Sequence, residues 1–290
     1  MHILETGTLR QRLMHATQHA LRCGALQPIT SRHEIVQDGG VNFTVRVMEN
    51  LARKEESGGK PAPDFNPFLP YDKDLFVTDL SDTHLILLNK FNVIEHHLLI
   101  VTRQFEEQES PINARDFAAA WQCLAESDGL VFYNSGTVSG ASQRHKHLQL
   151  VPLPAIGKGE RIPLEPAIEA ALEMGEIAAA LPFRHVLAPL DPEWIESPVA
   201  AGPRLAAIYD RLLPVIGLGA GNGMSGYTGY NLLMTRQWIM AVPRRQQKFH
   251  DVGVNALGFV GTLLVANQTQ LEQVRTIGPM TILREVCTKV

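Results

Sequence analysis

The run from Ser139 to Leu150, Ser-Gly-Ala-Ser-Gln-Arg-His-Lys-His-Leu-Gln-Leu, constrains the fold more than any other stretch of the 290-residue chain. On an extended chain successive side chains point to opposite faces, so His145, His147 and Gln149 share one side while Lys146, Leu148 and Leu150 share the other. A strand of this kind needs a sheet with one buried face and one face that presents three polar groups in a row, each able to bind a phosphate. Just upstream, Ser139, Gly140, Ala141 and Ser142 are small enough for backbone N–H groups and two hydroxyls to approach an anion closely, as in a phosphate-cradling loop. Two plainer readings stand beside this one. His-x-His on a strand suits a transition metal, although no cysteine or carboxylate nearby offers a third ligand, and polar alternation is ordinary on any half-buried strand.

The flanking sequence supplies the rest of a sheet. Leu9, Leu13, Ala16 and Ala20 recur at helical spacing between Thr8, a candidate cap, and Gly24, a candidate stop. His33–Gln37 and Val41–Met48 flank Asp38-Gly39-Gly40 and predict a β-hairpin with one apolar face. Residues Arg53 to Asp74 are rich in Gly, Pro and charge and read as a mobile flap. Strands are expected at Leu85–Asn89, His97–Thr102, Gly129–Tyr133 and His147–Val151, with a helix from Asn113 to Ala125, which makes the N-terminal sheet antiparallel. A helix through Ile168 and Leu172 leads into a second lobe starting near residue 181. That lobe is expected to hold an amphipathic helix over Leu205–Leu213 and strands at Tyr230–Thr235, Trp238–Val242 and Phe259–Val265. Strict βαβ alternation is lacking, so the class is α+β, with residues 1–180 forming a catalytic region and 181–290 a C-terminal region.

Several functions are disfavoured at this level. The tract from Gly217 to Gly223 follows a helix and precedes a strand, the reverse of the strand–glycines–helix order that a dinucleotide fingerprint needs. A net charge of −4 provides no field for gathering nucleic acid, and the apolar runs are strand-sized, far short of a membrane span. Cys23, Cys123 and Cys287 lie far apart, and residues 1–22 lack the apolar core of a secretory signal, so a reduced, cytoplasmic protein is expected. His96 and His97 adjoin on a strand and read as structural imidazoles.

With these residues in place, the chain resembles the histidine-triad superfamily, and within it the ATP adenylyltransferase or diadenosine tetraphosphate (Ap4A) phosphorylase branch, whose signature is His-x-His-x-Gln. The resemblance rests on His145-Lys146-His147-Leu148-Gln149 together with Asn66-Pro67-Phe68-Leu69-Pro70, Leu88-Asn89-Lys90-Phe91, His96 to Thr102, Asn134-Ser135-Gly136 and the Ser139–Gln143 loop. It continues through Tyr230-Asn231, Trp238, Pro243-Arg244, Asn255 and Gly258.

The resemblance implies a histidine-triad-like antiparallel sheet flanked by helices and completed by a C-terminal lobe. It also implies a nucleotidyltransferase in which His147 attacks the α-phosphorus of Ap4A, releases ATP and passes AMP to inorganic phosphate as ADP. His145, Gln149 and the Ser139–Ser142 loop would meet the developing charge. Asn89 would contact the ribose, Asn134 and Lys54 the phosphates or leaving nucleotide, and Asn255, Ala256 and Leu257 would close on the nucleotide. Relatives can carry a lysine where this chain has Ala266, so Arg244 or Arg284 becomes a candidate replacement. Gln149 stands where the hydrolase branch has a third histidine. Magnesium would arrive with the polyphosphate, and no tightly bound cofactor or protein metal site is implied. A hexose-1-phosphate uridylyltransferase, which shares the His-x-His-x-Gln strand, and a non-catalytic dinucleoside-polyphosphate-binding protein are the alternatives. The oligomeric state is left open.

Overall fold

The computed structural model describes residues 4–49, 65–153, 161–174, 181–218 and 229–287. Helix α1 (Leu9–Cys23) stops at Gly24, which takes the left-handed conformation (φ 78°) common at helix ends. Thr8 does not cap it; its hydroxyl donates to the Glu5 carbonyl at 2.6 Å instead. Strands β1 (Ser31–Asp38) and β2 (Val41–Met48) pair antiparallel across Gly39 and Gly40, the hairpin that the Asp-Gly-Gly signal predicts.

The next elements are β3 (Phe76–Asp79), β4 (His84–Leu88), β5 (Leu98–Thr102), α2 (Ala114–Glu126), β6 (Gly129–Asn134), β7 (His147–Pro152) and α3 (Glu165–Met174). They are followed by β8 (Val186–Pro189), α4 (Pro198–Leu212), β9 (Gly229–Met234), β10 (Trp238–Arg244), β11 (Lys248–Phe249), β12 (Val252–Gly253), β13 (Thr262–Val265), α5 (Gln268–Ile277) and α6 (Pro279–Val286). Eight strands form one sheet in the order β3-β4-β5-β7-β6-β9-β10-β8, with every neighbouring pair antiparallel. The strands after residue 181 therefore continue the N-terminal sheet, with Asn231 of β9 opposite Asn134 of β6. The α+β class holds.

Strand alternation decides what each face meets. Ile86, Ile100, Val131, Leu148, Leu150, Leu232 and Met234 pack on the side covered by α2 and α4, where Trp121 is wholly buried. The two helices approach closely at Gly202, where a Cβ would stand 2.4 Å from the Ala114 carbonyl oxygen. The opposite face carries Leu130, Phe132, Val151, Leu233, Met240 and Val242 against α3, α5, α6 and a second sheet, β1-β2-β13. There β13 lies parallel to β2, so the hairpin stands apart from the main sheet. Among the described residues no helix is long and apolar enough to cross a membrane.

Two expectations need correction. Phe259–Val265 is not one strand: Ala256–Val260 forms a 3-10 turn, capped by Asn255 accepting from the Leu257 N–H at 3.1 Å, and Gly261 at φ 93° ends it before β13 begins. An apolar run does not by itself distinguish the two conformations. Within residues 65–74 of the expected flap, Phe68 is buried against Leu85, Leu87, Leu99 and Val101 and anchors the segment at that point, while Phe65 and Leu69 stay exposed. Residues 53–64 of the expected flap, with Lys54, lie outside the described residues, as do Gly219, Gly221 and Gly223 of the glycine tract.

Candidate active site

β7 is flanked by β5 and β6, and the alternation seen in the sequence is realised along it. Leu148 and Leu150 enter the helix-covered core, while His147 and Gln149 line a cavity of about 910 Å³ on the other side. The same cavity is lined by Phe68, Tyr71, Asn89, Lys90, Phe91, His97, Asn134, Gly140, Ser142, Asn255 and Leu257. Lys146 faces away from it and is wholly buried, its Nζ 2.6 Å from Asp116 Oδ2.

The tautomer of His147 follows from its surroundings. Its Nδ1 lies 2.8 Å from the His145 carbonyl oxygen, which can only accept, so Nδ1 carries the proton and Nε2 keeps its lone pair. Nε2 has no hydrogen-bond partner among the described residues and is not sealed from solvent. Burial lowers the His147 pKa to about 4 against the opposing hydrogen bond to His145, so the ring is neutral near pH 7.

The side chain of His145 does something other than meet a phosphate. Its Nε2–H donates to the Thr102 carbonyl at 2.8 Å, and Nδ1 accepts from Asn66 Nδ2 at 3.0 Å. Asn66 Oδ1 in turn accepts the Phe68 N–H at 3.0 Å, and the Phe68 ring sits 5.3 Å from that of His147. His145 thus pins segment 66–68 over the His147 ring and orients that ring through its carbonyl. Both ring nitrogens of His145 are engaged in hydrogen bonds within the protein. Among the described residues, the group with metal-ligand spacing is the exposed trio His19, Cys23 and Asp74, none of which lines the cavity.

Two residues outside the expected site set support it. Gln108, buried, accepts the His147 N–H at 2.9 Å and donates to the carbonyls of Asn134 at 2.9 Å and His147 at 3.2 Å. Its amide bridges β6 and β7 beyond their last paired residues, where the strands separate to form the site. His97, expected to be merely structural, lies just before β5 and joins two site amides. Asn89 Oδ1 accepts the Phe91 N–H at 3.3 Å, so Asn89 Nδ2 donates to His97 Nδ1 at 3.2 Å, and His97 Nε2–H donates to Gln149 Oε1 at 2.9 Å. The Gln149 NH2 group is left as the free end, a neutral donor beside His147. His96 adopts φ 59° in the turn before β5 and does not line the cavity. Only a local signal, the adjacency of His97 to a strand that must pair with β7, hinted at this chain of contacts.

The loop after β6 is divided between two roles. Gly140 and Ser142 line the cavity, and Gly140 takes φ 95° with space for no Cβ, since one would come within 2.9 Å of Asn255 Cβ. Ser139 and Ala141 are buried behind that wall, and the Ser139 hydroxyl faces no partner. Asn255 and Leu257 line the cavity, whereas Ala256 contributes its N–H to Asn134 Oδ1 at 3.0 Å. Arg244 does not reach the cavity: it is fully buried and donates to the carbonyls of Gln246, Gln247 and Val254 at 2.9, 3.3 and 2.9 Å. Arg284 is exposed on α6, near Glu285. Neither arginine therefore stands in for a lysine at Ala266.

The two depressed histidines give a stability prediction. Burial holds His97 as well as His147 at about 4, whereas the unfolded chain protonates them near ~6.5. Between these values the unfolded state binds more protons, so the stability is complete above about pH 6.5 and is lost as pH falls toward 4. The urea midpoint should decline steadily from pH 6.5 to 4.5, with a shallower decline in His97→Gln. A flat wild-type profile would contradict the assignment.

A neutral imidazole with an accessible Nε2, a fixed Nδ1–H and amide donors around it has the groups that nucleophilic catalysis of nucleotidyl transfer requires. Comparisons with known proteins give the same class. Residues 1–170 match the model of the Ap4A phosphorylase N-terminal domain, and residues 179–289 that of the ATP adenylyltransferase C-terminal domain. Diadenosine 5',5'''-P1,P4-tetraphosphate phosphorylase 2 of Saccharomyces cerevisiae is 32% identical over 238 residues, covering 71% of this chain and 70% of that protein. Protein APA1 of the same yeast is 27% identical over 252 residues, 78% of this chain and 76% of that one. The crystal structure of yeast Ap4A phosphorylase Apa2 in complex with AMP superposes with a TM-score of 0.77 at 25% identity, covering 99% of this chain and 98% of that chain. The chain belongs to the Ap4A phosphorylase family.

Proposed function

We propose that the protein is a nucleotidyltransferase that phosphorolyses Ap4A, reversibly, through an adenylyl group carried on His147. The observation that carries this reading is the His147 tautomer: with Nδ1–H held by the His145 carbonyl, Nε2 is the only ring atom able to attack, and it opens on the cavity. In the first step Nε2 forms a bond to an α-phosphorus, the bond from that phosphorus to its bridging oxygen breaks, and ATP leaves. The ring acquires positive charge, which the Nδ1–H to carbonyl hydrogen bond stabilises. In the second step an oxygen of inorganic phosphate attacks the same phosphorus, the P–N bond breaks, and ADP leaves with the imidazole neutral again. The reverse direction, ADP with ATP giving Ap4A, uses the same groups.

The Gln149 amide and the backbone around Gly140 are suited to receive charge on the α-phosphate oxygens, and Asn89, Asn134 and Ser142 to position ribose and phosphates. Gln149 does not titrate, so it offers water no general base. This favours an adenylyl-histidine that waits for phosphate. Among the described lining residues the basic and acidic side chains are Lys90 and Asp72, which leaves most of the polyphosphate charge for magnesium brought in with the substrate. We take the cytoplasm, where nucleotides and phosphate coexist, as the setting.

The test is product analysis with and without phosphate. Ap4A with phosphate should give equal amounts of ADP and ATP, and turnover without phosphate should be slower by at least ~100-fold. Equal turnover to AMP and ATP without phosphate would reject the transferase reading.

A further inference from the structure

Arg244 ends β10 inside the protein, and among the described residues no carboxylate lies within ion-pair distance of it. Its guanidinium stacks over Phe259, with Cζ 5.4 Å from the ring centroid, and is solvated by oxygens of the chain itself. Burial lowers its pKa to about 10, which leaves it charged at neutral pH. A charge kept inside without a counter-ion is costly and calls for a role.

The strongest of its contacts leads to the site. Arg244 Nη1 lies 2.6 Å from the side-chain oxygen of Asn231. Arginine only donates, so the atom facing it is Oδ1 and the other end of Asn231 is its NH2 group. That NH2 donates to Asn134 Oδ1 at 2.7 Å and to the Ser139 carbonyl at 2.9 Å. Asn134 Oδ1 receives a second donor, the Ala256 N–H at 3.0 Å. Both oxygen lone-pair regions are then occupied by groups of the protein wall, and the Asn134 NH2 is the end left without a partner among the described residues. Asn134 lines the cavity and its Nδ2 is not sealed off, so a donor, not an acceptor, faces the ligand.

We infer that Arg244 is a positioning residue which, through Asn231, locks the Asn134 amide with its NH2 toward the anionic part of a nucleotide. An unlocked asparagine offers oxygen and nitrogen with similar ease, and the oxygen would repel a phosphate. The guanidinium fixes the Asn231 end of the chain because it can never accept, and the Ala256 N–H, likewise a donor only, acts in the same sense on Asn134. The inference rests on the nucleotide-binding reading above and extends it to a residue that touches no substrate.

The test uses Asn231→Asp, which is nearly isosteric and gives Arg244 an ionic partner. The aspartate presents only acceptors to Asn134 and repels its oxygen, which favours the turned amide, oxygen toward the cavity, over the hydrogen bond from the Ala256 N–H. The ion pair with Arg244 offsets the hydrogen bond lost to the Ser139 carbonyl, so thermal stability should stay close to wild type, while the dissociation constant for ATP, measured by calorimetry, rises about 10- to 100-fold, the scale for losing an orienting partner. In the Asn134→Ala background there is no amide to turn, and the same substitution should change ATP affinity by less than about threefold. Wild-type affinity in Asn231→Asp, an equal loss in both backgrounds, or a loss that parallels a fall in thermal stability would each overturn the inference. If wild-type protein binds ATP but does not turn over Ap4A, the phosphorolysis reading fails while this comparison still decides the role of Arg244. If it binds no nucleotide, both fall.

Discussion

His147→Ala is expected to abolish AMP transfer, with kcat falling on the order of 10⁴-fold or more while ATP affinity stays within a few-fold of wild type. The asymmetry follows from where the ring sits. His147 supplies the only nitrogen lone pair that the tautomer leaves open to the cavity, and Gln149 and the Gly140 region, which bind rather than react, remain in place. Removing the ring also removes a group that burial holds neutral, so the fold loses packing against Phe68 without gaining an unsatisfied charge. Intact-mass measurement after brief exposure to Ap4A without phosphate, with denaturation at neutral pH because acid cleaves a P–N bond, should show wild type heavier by one AMP. The alanine variant should show no gain. An adduct of equal yield in the variant would move the nucleophile elsewhere, and no adduct in either protein would favour direct attack of phosphate on Ap4A.

The catalytic strand was legible in the sequence because its information is local. A period of two fixes which side chains share a face, and Leu148 and Leu150 decide which face is buried, so His147 and Gln149 had to open on the other. The support for that strand was not legible, because it is made of contacts between distant segments. Gln108 reaches His147 from 39 residues away, Asn231 reaches Asn134 from 97, and Arg244 meets the Ser139 carbonyl from 105. In a one-dimensional reading Arg244 is a basic residue after a strand, and a phosphate contact is a reasonable use for it. Only the crossing of β10, the loop after β6 and the Ala256 turn shows that the charge is spent inside the wall. Likewise His145 fits a phosphate ligand by its place in the motif, yet Thr102 and Asn66 occupy its ring on both sides. The composition of Arg53–Asp74 gives no sign that one aromatic side chain, Phe68, finds an apolar slot on β4 and β5.

Asp116→Ala is expected to produce a large loss of stability, about 3–5 kcal/mol, because it strands a buried charge on the residue next to His147. Lys146 and Asp116 are both fully buried and lie 2.6 Å apart on the helix-covered side of β7. Asp116 also meets His84 Nε2 at 3.0 Å and accepts the Asn113 N–H at 2.8 Å, closing the capping box of α2. Burial alone would raise its pKa, but the hydrogen bonds from His84 and Lys146 and the lysine charge hold it below the usual carboxylate range. With the carboxylate gone, Lys146 Nζ retains the Pro111 carbonyl at 2.8 Å and the half-exposed Glu106 at 3.2 Å, which does not replace an enclosed counter-ion. For a chain of this size the loss corresponds to a fall in Tm of roughly 5–8 °C. Replacing both partners, Lys146→Met with Asp116→Leu, should recover most of it, since no uncompensated charge remains. An Asp116→Ala protein within about 1 kcal/mol of wild type by urea denaturation would show that the pair is not what holds the strand. The consequence reaches the chemistry because Lys146 lies between His145 and His147. Anchoring its side chain to α2 fixes which face of β7 turns toward the cavity, so the double variant should fold well yet transfer AMP more slowly, with β7 held in register by apolar packing alone.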